Sequence, residues 1–327
     1  MLQFSYHPTR TRRGLLKASV LALALWAGMG TALAADQPAQ AGVYRYKLGD
    51  FEITALSDGT VPLDMHKLLK GASASEIDAA LASSFHGNPV EESINGYVVD
   101  TGSRIILIDT GTGDFFGEGH GKLVARLKAA GYEPSQVDDI LVTHLHTDHS
   151  GGLVHDGKMV FPKAVVHIGQ ADVDFFMAPA NQGGVGGYDK SYFVQGTASL
   201  APYKASGHLA PFKGPTQFVP GITGIPTPGH TPGHAFYRVE SQGQSMTFIG
   251  DVVHAESIQF AKPAITISFD VDPAKAAALR AAQFDKFAGS RELVAGAHLP
   301  FPGIGHVRRE STGYDFVPVD YADRDGQ

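Results

Sequence analysis

Apolar positions change period several times along this 327-residue chain, and each change predicts an element. Residues 15–33 form an apolar run broken at Gly28 and Gly30, with Arg10, Arg12, Arg13 and Lys17 as its flanking or internal cations and no acidic residue before Asp36. The adjacent Arg12 and Arg13, the apolar run and the small residues Ala32 and Ala34 predict a twin-arginine signal peptide over residues 1–34. The mature chain is then a single domain, 35–327, in the periplasm or secreted. The run is short for a span and no other long one follows, so no stable membrane association is expected after cleavage.

Beyond it, strand-like residues 43–48 and 51–56 flank Gly49 and Asp50, a turn pair that predicts a hairpin. An apolar run within 104–109 ends at Asp109 and reads as a buried strand. Residues 120–130 place Leu123, Val124, Leu127 and Ala130 at helical spacing and stop at Gly131. A second buried strand, 139–143, runs into His144. The same order then returns: a strand over 246–250 ending at Asp251, a helix opened by Asp272 and Pro273 and reaching about residue 288, and a strand over 292–297 running into His298. Two such halves predict two sheets face to face with helices outside, a four-layer α/β sandwich (αββα), with a site where the strand ends converge. Residues 178–190, with Gly183, Gly184, Gly186 and Gly187, read as a mobile loop and not as a linker between domains.

Composition narrows the chemistry. The chain has no cysteine, which excludes disulfides, thiolate zinc sites and cysteine nucleophiles, and leaves 15 histidines as ligands or bases. A formal charge of −7 with no basic patch argues against a nucleic-acid partner.

The densest chemistry lies in His144, His146, Asp148 and His149, four ligand-type residues among six directly after a buried strand and before the turn at Gly151 and Gly152. In an extended segment His144, His146 and Asp148 share one side. That is more than one ion needs, so two adjacent ions are expected: His144 and His146 on the first, Asp148 and His149 on the second. His234 reads as a buried histidine bonded to backbone, and Asp109 as an acid that orients a ligand histidine from behind.

The spacing His-x-His-x-Asp-His resembles that of the metallo-β-lactamase-fold hydrolases. Residues 227–234, with His230, together with Asp251, His298 and the Asp109 strand, match that superfamily's other motifs over most of the mature chain. The resemblance implies His144, His146 and His230 for one metal and Asp148, His149 and His298 for the other, with Asp251 bridging. Within the superfamily the run 298–308 and the export signal are similar to exported methyl parathion hydrolase-like enzymes, and quorum-signal lactonases come next. Where the acyl-homoserine lactonases usually carry a tyrosine three residues past the bridging acid, this chain has His254.

The function implied is a dinuclear zinc hydrolase that uses a bridging hydroxide on lactones or aryl esters, with phosphotriester hydrolysis as a side activity. Asp148 and Asp251 are the candidate catalytic residues. The same ligands accept manganese, cobalt or iron. A dedicated organophosphate hydrolase, a non-catalytic metal protein and an iron-dependent redox enzyme are the competing readings. An uncharged apolar substrate is expected in a pocket walled by Phe116, Phe176, Tyr192, His254, Ile267 and Phe269, and a homodimer is left open.

Overall fold

Chain order and strand order coincide in both sheets of the computed structural model, which describes residues 40–186 and 188–323. The expected signal segment lies outside the described residues, and the 35–327 boundary rests on sequence alone. The first sheet has six strands: β1 (Val43–Leu48), β2 (Phe51–Leu63), β3 (Val90–Asp100), β4 (Ile105–Ile108), β5 (Asp139–Leu141) and β6 (Val165–His167), each beside the next. The second has seven: β7 (Thr216–Val219), β8 (Ile222–Pro226), β9 (Ala235–Ser241), β10 (Gln244–Phe248), β11 (Leu293–Ala295), β12 (Ile304–Arg309) and β13 (Tyr314–Pro318).

The repeated order seen in the sequence becomes a repeated topology. Strands β4 and β5 are parallel, with Ile106 opposite Asp139, and the helix α1 (Leu123–Ala129) lies between them in the chain. Strands β10 and β11 are parallel, with Met246 opposite Leu293, and α3 (Pro273–Ser290) follows the first of them as α2 (Lys190–Ser206) follows β6. A parallel pair needs such a crossover because its strands run the same way.

Alternation along β4 shows why its sequence is continuously apolar. Ile106 and Ile108 enter the layer between the sheets, while Leu107 enters the layer beneath α1 and α2. Both faces of the strand are covered. Tyr97 and Phe248 meet across the inter-sheet layer with ring centroids 5.0 Å apart. Leu123, Leu127, Phe193 and Leu200 cover the first sheet, and Phe284 and Phe287 of α3 cover the second. Each such buried side chain contributes about 1.5–3 kcal/mol.

Helix α1 starts at Leu123, the first of the apolar positions and three residues inside the expected span 120–130. Gly121 sits at φ +68°, and the buried Asp58 carboxylate accepts the Leu123 N–H at 2.7 Å and the Gly121 N–H at 3.2 Å. A carboxylate at that end satisfies free N–H groups and complements the helix dipole.

Candidate active site

Strand β5 stops at Leu141, and residues 147–150 form one helical turn with His146 at its N-cap position. The expectation that His144, His146 and Asp148 alternate along an extended segment is therefore corrected: the turn carries Asp148 and His149 away from the other two. The following chain passes so close to the Asp109 strand end that a Cβ on Gly152 would lie 1.9 Å from the Thr110 carbonyl oxygen. Only glycine fits there.

This path yields two clusters. Ligand atoms of His144, His146, His230 and Asp251 lie within 4.8 Å of one another, as do those of Asp148, His149 and His298. Asp251 faces both. Its Oδ2 is 3.4 Å from His144 Nε2, 3.3 Å from His230 Nε2 and 3.2 Å from His298 Nε2, and its Oδ1 is 3.2 Å from His149 Nε2.

The donor set lacks something these atoms can bind. Nε2 of His144, His146 and His149 and Oδ1 of Asp251 are buried without hydrogen-bond partners, and His230 Nε2 faces His146 Nδ1 at 3.1 Å. Unpaired polar atoms at such density are costly to bury, and a cation at their centre satisfies them together. Burial holds His144 and His146 well below the usual imidazole range, so both are neutral, the form that binds metal. Burial also acts on His230 and His298, but there Asp251 and a second carboxylate, Asp270 or Glu92, overcome it and raise them to about 9 and about 10. The carboxylates thus draw positive charge into the site. Nitrogen and oxygen ligands without sulfur suit zinc, manganese, cobalt or iron.

Behind the clusters, the rings of His149, His230 and His298 are held by their other nitrogens. Asp109, in the left-handed region at φ +57°, takes His149 Nδ1 at 2.9 Å and also accepts the Thr143 N–H and hydroxyl, both at 2.8 Å. Asp270 takes His230 Nδ1 at 2.9 Å, and His298 Nδ1 donates to the Ser93 carbonyl at 2.9 Å. Asp172, pushed up by burial to about 6, accepts Leu145 N–H (2.9 Å), the Thr231 hydroxyl (2.9 Å) and Gly233 N–H (2.6 Å), tying the two histidine segments together. His234 belongs to neither cluster. Its Nδ1 meets the Thr227 hydroxyl at 2.9 Å and its Nε2 accepts the Asp251 N–H at 3.2 Å.

A cavity of about 310 Å³ opens over the clusters, with His146, Asp148, Asp251 and His298 at its floor. Phe115, Phe116, Tyr192, His254 and Phe269 line its wall. Phe176 and Ile267 do not. Phe176 is buried beneath His146, with ring centroids 5.7 Å apart. Ile267 packs with Met65 and Leu69, because its strand is only two residues long and the chain turns before Phe269. His254 stacks on His298 at 4.8 Å and sets its Nε2 3.2 Å from Asp251 Oδ2.

With this geometry in hand, the chain belongs to the metallo-beta-lactamase superfamily, whose model matches residues 90–298. It is 36% identical to the solved hydrolase AbOPH of the beta lactamase superfamily, covering 88% of this chain and 100% of that one at a TM-score of 0.81. The dizinc quorum-quenching lactonase AidC, solved with the product N-hexanoyl-L-homoserine, is 25% identical over 86% of this chain and 99% of that one, TM-score 0.79. An N-acyl homoserine lactonase of Bacillus cereus is 26% identical over 182 residues, which are 50% of this chain and 64% of that relative.

Proposed function

We propose that this protein is a metal-dependent hydrolase that opens lactones or cleaves aryl esters with two zinc ions, and that it hydrolyses phosphotriesters more weakly. The observation that carries this reading is the pair of ligand clusters beneath an aromatic cavity, with Asp251 in the first and 3.2 Å from His149 and His298 of the second. The likeness to AidC and to the Bacillus lactonases supports the lactone class. His144, His146 and His230 would hold one ion and Asp148, His149 and His298 the other, with Asp251 between them. Two ions so held lower the pKa of a shared water and polarise a carbonyl or phosphoryl oxygen.

The chain's own residues do the rest. The aromatic wall excludes water and seats a flat, uncharged substrate. Neutral His254, held down by burial to about 4, would offer its one N–H to an ester oxygen. Asp148 at the floor, kept ionised against its burial by His149 and His298, would take a proton from the attacking water and return it to the departing alcohol oxygen. A bulky phosphotriester crowds His254 and Phe269. Comparing kcat/KM for lactones, aryl esters and phosphotriesters on zinc-loaded protein tests the order, and a preference for phosphotriesters overturns it.

The site is proposed to work outside the cytoplasm, reached through the twin-arginine signal. Changing Arg12 and Arg13 to lysine is expected to leave activity in the cytoplasm, because recognition needs the guanidinium groups and not charge alone. Unchanged periplasmic activity overturns that route.

A further inference from the structure

The segment that leads from Asp251 to the cavity wall is held by two buried side chains to which the proposed reaction assigns nothing. After Asp251 the chain passes through Val252 and Val253 to His254 outside both sheets, so its N–H groups need acceptors other than a neighbouring strand. Gln259, fully buried at the end of the single helical turn Glu256–Gln259, folds its side chain back over that turn. Its Oε1 accepts the His254 N–H at 2.8 Å and the Ala255 N–H at 3.2 Å, and its Nε2 donates to the Ile265 carbonyl at 3.1 Å. The same carbonyl accepts Nη1 of Arg280, on α3, at 2.7 Å. Arg280 Nε donates to the Val252 carbonyl at 2.5 Å, and Nη1 also reaches the Pro263 carbonyl at 2.8 Å.

Burying a guanidinium is expensive, and here the groups bonded to it are neutral backbone carbonyls. The result of that arrangement is geometric. Arg280 ties Val252 and Ile265, the two ends of the segment 252–265, to α3, and Gln259 sets His254 within it. Three rings touch His254: His298 stacked at 4.8 Å, His230 at 5.3 Å and Phe269 at 5.6 Å. Such contacts orient the imidazole, but the bonds to the His254 and Ala255 N–H groups fix the backbone that carries it. A shift there moves the ring across the cavity wall on which the substrate rests.

We propose that Gln259 is a positioning residue: through the His254 and Ala255 N–H groups, and anchored by Arg280, it sets the His254 ring against the substrate and so governs the preference for lactones over phosphotriesters. This role rests on the lactone and ester reading. Gln259 touches neither substrate nor metal ligand in this role, so its loss acts on the same quantity as the loss of His254 and only through His254.

The test is a double-mutant cycle on the zinc-loaded protein, read as the ratio of kcat/KM for γ-butyrolactone to that for dimethyl 4-nitrophenyl phosphate. Gln259→Met, which matches the side chain in size but offers no oxygen, is expected to lower the ratio a few-fold. Gln259→Glu, whose carboxyl oxygen still accepts both N–H groups, keeps it near the wild-type value. Added to His254→Leu, Gln259→Met lowers it no further. An unmoved ratio in Gln259→Met, or a fall that adds to that of His254→Leu, overturns the proposal. Thermal unfolding and metal content check that the variants are intact. If Gln259→Met unfolds, Gln259→Asn, whose amide stops one methylene short, replaces it; if both unfold, hydrogen exchange of the His254 and Ala255 amides in the wild type decides, and rates of an open loop overturn the role. Should neither substrate be turned over, or His254→Leu alone leave the ratio where it was, the lactone and ester reading fails by itself. Histidine-ring NMR of the zinc-loaded protein then decides the role of Gln259: Gln259→Met is expected to move the His254 signals and leave those of His144 and His146 in place. His254 signals that stay, or that move along with all the others, overturn it.

Discussion

The two halves of the molecule place an aspartate at the same topological point and put it to opposite uses. Asp109 follows β4 and Asp251 follows β10, each the first strand of a parallel pair. Asp109 meets Thr143 and His149 Nδ1, so its oxygens are already engaged. Asp251 faces ring nitrogens of His144, His149, His230 and His298, and its Oδ1, turned to His149, accepts no hydrogen bond. Strand-end position delivers a carboxylate to the site, and the donors already around it decide whether it steadies a ligand or becomes one.

The sharpest break of this contrast is Asp251→Asn, expected to abolish hydrolysis and lower bound metal while the fold survives. Mass-spectrometric metal content and circular dichroism read it out, and full activity at unchanged metal content removes the shared role. His146→Ala is expected to behave alike on the first cluster. Asp109→Asn keeps shape but weakens the hold on His149, so the expected loss is smaller, about 10–100-fold in metal affinity by chelator competition. A loss as complete as that of Asp251→Asn would mean the halves are not different after all. Least in absolute rate is His254→Leu, expected to shift the ratio of lactone to phosphotriester turnover a few-fold toward phosphotriesters; an unmoved ratio returns His254 to mere packing behind His298.

Those residues differ also in how far the chain itself announces them. The doubled order of strand, acid, helix, strand and histidine is local and periodic, and it placed Asp109, His144, Asp251 and His298 at strand ends. Asp172, Asp270 and Glu92 stand in no motif. Asp270 meets His230 forty positions away, and Glu92 meets His298 across the two sheets, so only the assembled packing defines them. Phe176 and Ile267 show the same limit for apolar residues, since an aromatic or aliphatic side chain is equally suited to a cavity wall and to a core. The helical turn at 147–150 was hidden because four ligand-type residues carry no apolar period.

The bond from His298 to the Ser93 carbonyl spans 205 positions of sequence. Contacts of such separation close late, after their loop entropy has been met by the packing of both sheets. The second cluster therefore closes a longer loop than the His146 to His230 contact of the first, 84 positions apart, and its ordering costs the chain more entropy.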